Sequence, residues 1–264
     1  MKSPSIFDLS GRVVLLTGAT GHLGRAMARG LCQAGAKVLL NSRSEERAAE
    51  TKTAMAAESL PAEVLVFDIT NDKDRVEAIR EVGERYGRLD VLVNNAFGVI
   101  STEGTAAFES AYKAAVVSTW QLVQDSLGLL RRAAQLNSRG ASIINVASMY
   151  GLVSPDFAIY TDRTPKNPVY YGPAKAALLQ LTRYMASELG SERIRVNAIS
   201  PGPFPNPTVC ESDPEFVERL AKKNPLGRIG QPHELVGPVV FLASDAASYI
   251  TGANLAVDGG WTAL

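Results

Sequence analysis

The amino-acid sequence predicts an α/β protein built on a doubly wound parallel sheet with helices on both faces. Two observations lead there. Seven short apolar runs alternate with helix-like segments along the whole chain, the pattern of repeated β-α-β units. Within the runs, neighbouring positions are apolar, as in Val13-Val14-Leu15-Leu16 and Val91-Leu92-Val93, so each strand is covered on both sides. No internal repeat, low-complexity tract or linker interrupts the pattern, and residues 1–264 read as a single domain.

Taken in order, Arg12–Thr17 is the first strand, followed by a glycine-bearing turn and an amphipathic helix to about Ala34, stopped by Gly35. Lys37–Asn41 is the second strand. Ser44 caps a helix rich in Glu, Arg and Ala that ends before Pro61. Glu63–Asp68 is the third strand, Asn71–Tyr86 a helix, and Leu89–Asn94 the fourth strand. One long helix is expected over about 106–136, then a strand over Ala141–Ala147 ending at Ser148. A helix from near Tyr170 to Leu189 follows, with Pro173 confined to its first turn. Ile194–Ile199 is the sixth strand. A polar, proline-broken segment then runs to Arg228, with a helix start at Asp213-Pro214-Glu215. A helix over about 232–244 and a strand near Asn254–Val257 complete the chain.

Composition narrows the function. Lys plus Arg number 27, as do Asp plus Glu, so no field favours nucleic acid or an anionic membrane. No apolar run approaches the ~20 residues that span a bilayer, and Met1–Gly11 lacks the apolar core of a signal peptide. Cys32 and Cys210 form no metal or redox motif. A cytoplasmic protein without metal is expected.

Two stretches carry chemistry. Gly18, Gly21 and Gly24 sit where the first strand turns into the first helix. There the backbone can approach a pyrophosphate on the helix N-terminus; a tight turn without ligand is the plainer alternative. The second strand ends in Asn41-Ser42-Arg43. It offers no carboxylate to bind a ribose 2′-hydroxyl, and Arg43 can clamp a 2′-phosphate, which favours NADP, with NAD as the alternative. Asp68 and Asn94-Asn95-Ala96 end the third and fourth strands at the same carboxyl edge. The other stretch is Tyr171-Gly172-Pro173-Ala174-Lys175. Its Tyr and Lys lie one helical turn apart on one face, a phenol beside an ammonium, with the Ser148 hydroxyl available to face them. That set can donate a proton to a carbonyl, the ammonium drawing the phenol's pKa down.

The ordered set of Thr17–Gly24, Asp68, Asn94-Asn95-Ala96, Ser148, Tyr171 with Lys175, Pro201-Gly202 and Asp258-Gly259-Gly260 resembles the short-chain dehydrogenase/reductase family over essentially the whole chain. The resemblance implies a seven-stranded sheet of Rossmann type, NAD(P)-linked chemistry on a small-molecule carbonyl or alcohol, and a homo-oligomer, tetramer or dimer. It implies Ser148, Tyr171 and Lys175 as catalytic. Cofactor contacts follow from Thr17, Gly18, Gly21, His22, Leu23, Gly24, Ser42, Arg43, Asp68, Ile69, Asn95, Ala96, Tyr171, Lys175, Pro201, Gly202 and Phe204. Phe204 is expected over the nicotinamide, and residues of about 203–228 are expected as a lid over the substrate.

Four departures from the family pattern stand out. His22 occupies a place where members of this length carry Gly, and it is expected to face solvent. Phe97 follows Asn95-Ala96 where Gly is usual, reshaping the pocket wall. Ala115 falls where the family has a fourth catalytic residue, an Asn whose backbone kink holds a proton-relaying water; no Asn lies between Asn95 and Asn137. Finally, more residues than usual separate Ser148 from Tyr171. The extra stretch, Ser154–Val169, carries Asp156, Asp162, Arg163 and Lys166 and resembles a sugar- and flagellin-modification reductase subgroup. Its charges suit a polyhydroxylated or acidic substrate; a surface loop or an oligomer contact is the equal alternative. Three functions compete: reduction or oxidation of a polar carbonyl or alcohol such as a sugar derivative, reduction of a 3-oxoacyl thioester, and nucleotide binding without catalysis.

Overall fold

The computed structural model describes residues 6–98, 103–136, 140–162 and 164–264. Seven parallel strands form one sheet in the order β3-β2-β1-β4-β5-β6-β7. They are β1 (Val13–Leu16), β2 (Lys37–Ser42), β3 (Ala62–Val66), β4 (Val91–Asn94), β5 (Ala141–Val146), β6 (Ile194–Pro201) and β7 (Asn254–Val257). The order reverses between β1 and β4. At such a switch point the loops leave the carboxyl edge in opposite directions and open a crevice. The predicted third strand loses its last two residues: Phe67 and Asp68 leave the β2 ladder after Val66 pairs with Ser42.

Each face of the sheet buries its own core. Leu15, Leu39, Leu92, Ile143 and Val196 point to one side and meet Ile79, Val82, Leu122, Leu130 and Met185. Val14, Leu40, Val93, Ile144 and Ile199 point to the other and meet Met27, Leu31, Leu235, Val239 and Leu242. The alternation follows from the pleat, which sends neighbouring side chains to opposite faces. The helices of these cores include α1 (His22–Gln33), α2 (Glu45–Ala57), α3 (Asp72–Tyr86), α5 (Ser118–Leu136) and α6 (Tyr171–Leu189), while α4 (Gly104–Tyr112) buries Ala107 and Ala111 in a separate cluster. Ser44 caps α2 by accepting from the Arg47 N–H, as its position predicts.

The long predicted helix is not continuous. Lys113–Val117, between α4 and α5, form a π-helical turn that packs against α6. Ala115 lies in its middle. The kink that the family pattern associates with Asn therefore exists here without Asn, because a π turn is a backbone insertion any helix-forming residue can occupy. The segment after β6 also has its own order: α7 (Pro207–Ser212) and α8 (Pro214–Lys223), each with proline at its start. Asp213 caps α8 by accepting from the Phe216 N–H, so the helix start read at Asp213 is found. The last helix, α9 (Val236–Ala243), follows a short 3-10 turn over Pro232–Leu235.

Among the described residues, no helix is long and apolar enough to cross a membrane. No group of three or more His, Cys, Asp or Glu residues there is arranged to hold a metal ion.

Candidate active site

A cavity of about 590 Å³ opens at the carboxyl edge over β1, β2 and β4. Its floor is the turn from β1 to α1. Gly18 takes a left-handed φ of 63°, and an added Cβ there would lie 2.9 Å from the Ala96 Cα. At Gly24 a Cβ would strike the Gly18 carbonyl oxygen. Gly21 differs: a Cβ there would meet nothing nearer than the Gly18 carbonyl oxygen, at 3.4 Å. Gly18 and Gly24 are thus needed by the fold, whereas hydrogen at Gly21 keeps the cavity itself open. Gly21 is also the N-cap of α1, has no capping side chain, and is followed by no acidic residue in the first turn. The helix presents free N–H groups and positive potential to the cavity, which suits a phosphate group.

Of the predicted cofactor contacts, Gly18, Gly21, His22, Leu23, Gly24, Ser42, Arg43, Asp68, Ile69, Asn95 and Ala96 line this cavity. Thr17 does not; it is buried and acts beneath the surface. Its hydroxyl donates to the Val93 carbonyl and accepts from the N–H groups of Asn95 and Ala96, at 2.9 and 3.0 Å. Asn95 in turn donates to the Thr17 and Gly18 carbonyls. Asn41 closes the same frame, accepting from the Gly18 N–H and donating to the Phe67 carbonyl. Arg43 reaches over the cavity mouth, 3.8 Å from the Asp68 carboxylate. The other Asp68 oxygen accepts from the Thr70 N–H and hydroxyl, both at 2.8 Å. Arg47, one helical turn beyond Arg43, also lines the cavity. Sequence reading passed over it, although its spacing from Arg43 was visible.

His22 does not face solvent as expected. Its Nε2 is buried without a hydrogen-bond partner, and the Pro205 carbonyl lies near its ring. Burial outweighs the pull of that carbonyl and lowers its pKa, since a desolvated imidazole resists charging. The glycine turn thereby meets the start of the 203–228 segment. Pro201, Gly202 and Phe204 do not line the 590 Å³ cavity. Gly202 is pressed against Asp258, while Phe204 lies on Gly230 and borders a second cavity of about 410 Å³.

Ser148, Tyr171 and Lys175 come together beyond the far end of the large cavity. Ser148 lies two residues beyond β5, and its hydroxyl accepts from the Tyr150 N–H at 3.1 Å. It also lies close enough to the Tyr171 phenol to favour its ionised form. Gly172, against the Tyr150 carbonyl, and Gly151, against the backbone at Lys175, let α6 dock this closely on the turn after β5. Lys175 is 4% exposed and donates to the Val146 carbonyl at 2.7 Å. Burial lowers its pKa to about 8.

The expected drop in the phenol pKa is not found. Burial raises it, and the nearby Ser148 hydroxyl offsets only part of the rise. Lys175 lies over the ring face, 5.8 Å from its centroid, with its proton directed to Val146, so it does little for the hydroxyl. Phe97 joins the two parts. It lines the cavity, its ring meets Tyr171 edge-on at 5.3 Å, and Lys175 Nζ stands 5.0 Å from its centroid.

The extra stretch before Tyr171 is fastened to α8. Asp156 pairs with Lys223 at 2.5 Å and caps the Ala158 N–H. Thr164 donates to Asp213 at 2.5 Å, and Arg219 donates to the Ile159 carbonyl at 2.8 Å. Tyr160 packs on Phe216, and its hydroxyl lies 3.2 Å from that of Tyr150. The Asp156 charge is therefore engaged by Lys223, while Asp162 and Lys166 are exposed; Arg163 lies outside the described residues.

Comparison with known proteins agrees with this architecture. The profile of the family described as Enoyl-(Acyl carrier protein) reductase matches residues 18–262. The chain is 34% identical to the rhamnolipids biosynthesis 3-oxoacyl-[acyl-carrier-protein] reductase of Pseudomonas aeruginosa, covering 97% of this chain and 98% of that one. It is 32% identical to gluconate 5-dehydrogenase of Gluconobacter oxydans, over 99% of each. The solved active-site complex of Pseudomonas aeruginosa RhlG with NADP superposes with a TM-score of 0.87 at 33% identity, over 98% of this chain and 99% of that one. Sequence and fold agree from end to end, and the chain belongs to the short-chain dehydrogenase/reductase family, as an NAD(P)-dependent oxidoreductase acting on carbonyl or alcohol substrates.

Proposed function

We propose that the protein transfers hydride between NADP(H) and a polar carbonyl or secondary alcohol, such as a sugar derivative. The carrying observation is the placing of the Ser148 hydroxyl near the Tyr171 phenol, with buried Lys175 over the phenol ring, beyond the end of a cavity floored by an anion-receptive helix terminus. Held by the glycine turn with Arg43 and Asp68, NADP(H) would supply the hydride for the carbonyl carbon. Tyr171, kept protonated by its burial, gives its proton to the oxygen as negative charge develops there. Ser148, oriented by the Tyr150 N–H, holds that oxygen. Lys175, charged below about pH 8, keeps a positive charge over the face of the Tyr171 ring. The basic pair Arg43 and Arg47 beside Ser42 supports NADP over NAD, as does the NADP in the similar solved structure.

The Tyr150 phenol, near Tyr171 and 3.2 Å from that of Tyr160, favours a hydroxylated substrate over an apolar chain. A 3-oxoacyl thioester is the second reading, favoured by the likeness to the Pseudomonas reductase. A panel of keto sugars and 3-oxoacyl thioesters, followed by NADPH absorbance, decides between them; turnover of thioesters alone overturns the first. Tyr171→Phe is expected to lower kcat/KM by about 10²–10⁴-fold, and unchanged turnover would refute the proton assignment. We also propose a homo-oligomer, since Phe108, Tyr112, Trp120 and Tyr184 are exposed along α4, α5 and α6; light scattering that gives the monomer mass would refute it.

A further inference from the structure

We propose that Phe97 is a positioning residue for the reactive pair, its ring face holding the Lys175 ammonium and its edge fixing the Tyr171 ring. The proposal rests on the catalytic reading of that pair.

Lys175 is buried, and burial of an unpaired ammonium is costly unless something answers its charge. No carboxylate among the described residues contributes to its titration; burial alone accounts for the shift. Its surroundings are the Val146 carbonyl on β5, the Tyr171 ring on its own helix and the Phe97 ring after β4. Lys113, on the π turn packed against α6, is exposed. The single hydrogen bond to Val146 uses one of three donors. The Phe97 face, 5.0 Å away, is the nearer of the two rings, and the negative face of an arene attracts a cation most when water is excluded.

The ring's other contacts hold it there. Its plane stands at 85° to that of Tyr171, the edge-to-face arrangement aromatic pairs prefer. It packs on the cluster formed by Ala107, Ala111, Ala115, Val116 and Ala174. The small side chain at Ala115 leaves the π turn apolar where the large ring rests. Two departures from the family pattern, Phe97 and Ala115, thus meet in one cluster beside one ammonium. Phe97 also borders the large cavity, so one ring touches both that space and the reactive pair.

The test uses cofactor-free protein, with the Lys175 ε-carbon titrated by NMR and assigned by its loss in Lys175→Met. Phe97→Leu keeps apolar bulk and removes the quadrupole; Phe97→Tyr keeps both. Phe97→Leu should lower the titration midpoint by about half to one pH unit, a threefold to tenfold weaker hold on the proton, with Phe97→Tyr at the wild-type value. The limb of the kcat/KM profile belonging to Lys175 should move the same way. A midpoint in Phe97→Leu equal to wild type overturns the proposal, as does a Phe97→Tyr midpoint that falls as far as that of Phe97→Leu. The titration needs no turnover, so an active Tyr171→Phe would sink the proposed function while leaving this measurement unaffected.

Discussion

The two ends of the carboxyl edge are built on different physical terms. The nucleotide end is made by backbone: Gly18 against Ala96, Gly24 against the Gly18 carbonyl, and the amides of Asn95 and Ala96 on Thr17. Its partners are fixed by chain geometry and leave little freedom for side chains. The end proposed for the substrate is bounded by side chains that interlock two excursions of the chain, residues 154–169 and 203–228. One end tolerates almost no added atom; the other can be rewritten residue by residue without disturbing the sheet. A scaffold that keeps its cofactor and changes its substrate requires that division.

The glycines give the sharpest way to break the contrast. Gly24→Ala should destabilise the protein by about 3 kcal/mol, as overpacking against fixed backbone does, read as a loss in urea midpoint. Gly21→Ala should leave the midpoint in place and weaken dinucleotide binding by about thirtyfold, roughly 2 kcal/mol. Equal stability losses in both variants would show that the cavity is not what Gly21 keeps open.

Lys175→Met separates stability from reaction at the boundary of the two regions. Lys175 has a pKa of about 8 in the native protein, below the ~10.4 of an exposed lysine. Between those values the unfolded chain holds the more protons, so native stability rises with pH through that window, and the cost of the buried charge is fully present below it. Replacing the ammonium by Met should stabilise cofactor-free protein at pH 7 by about 2 kcal/mol, after allowing for the Val146 carbonyl left without its donor. It should also flatten the pH dependence of unfolding between about 8 and 10 and abolish turnover.

Arg43→Ala addresses cofactor choice. It should weaken NADPH binding about tenfold, near 1.4 kcal/mol, and leave NADH binding unchanged; equal losses would remove the 2′-phosphate from the argument. The smallest effect is expected at the clasp. Asp156→Asn should change stability by less than about 1 kcal/mol, since the pair is partly exposed, yet raise the rate of proteolysis within residues 203–228. An unaltered cleavage rate would mean that the remaining contacts hold the two excursions together alone.

What the sequence revealed follows the same division. Strand cores such as Val14–Leu16 and Ile143–Ile144 were legible because burial on both faces leaves a continuous apolar run. The glycine turn was legible because its constraints are local. The π turn over 113–117 was not, since an inserted backbone residue leaves no trace in hydrophobic spacing. The partners of Asp156, Ile159 and Thr164 lie 49 to 67 residues along the chain, beyond the reach of any local pattern. The burial of His22 escapes the sequence for a related reason: the Pro205 backbone near its ring comes from 183 residues further along the chain.

The clasp also makes 154–169 and 203–228 one mechanical part. Tyr160 rides with α8 through Phe216, while Tyr150 is anchored to the end of β5 through Ser148. Any excursion of α8 must pull their hydroxyls apart, so ultraviolet difference absorbance from this tyrosine couple offers a built-in gauge of that displacement, readable without attaching a label.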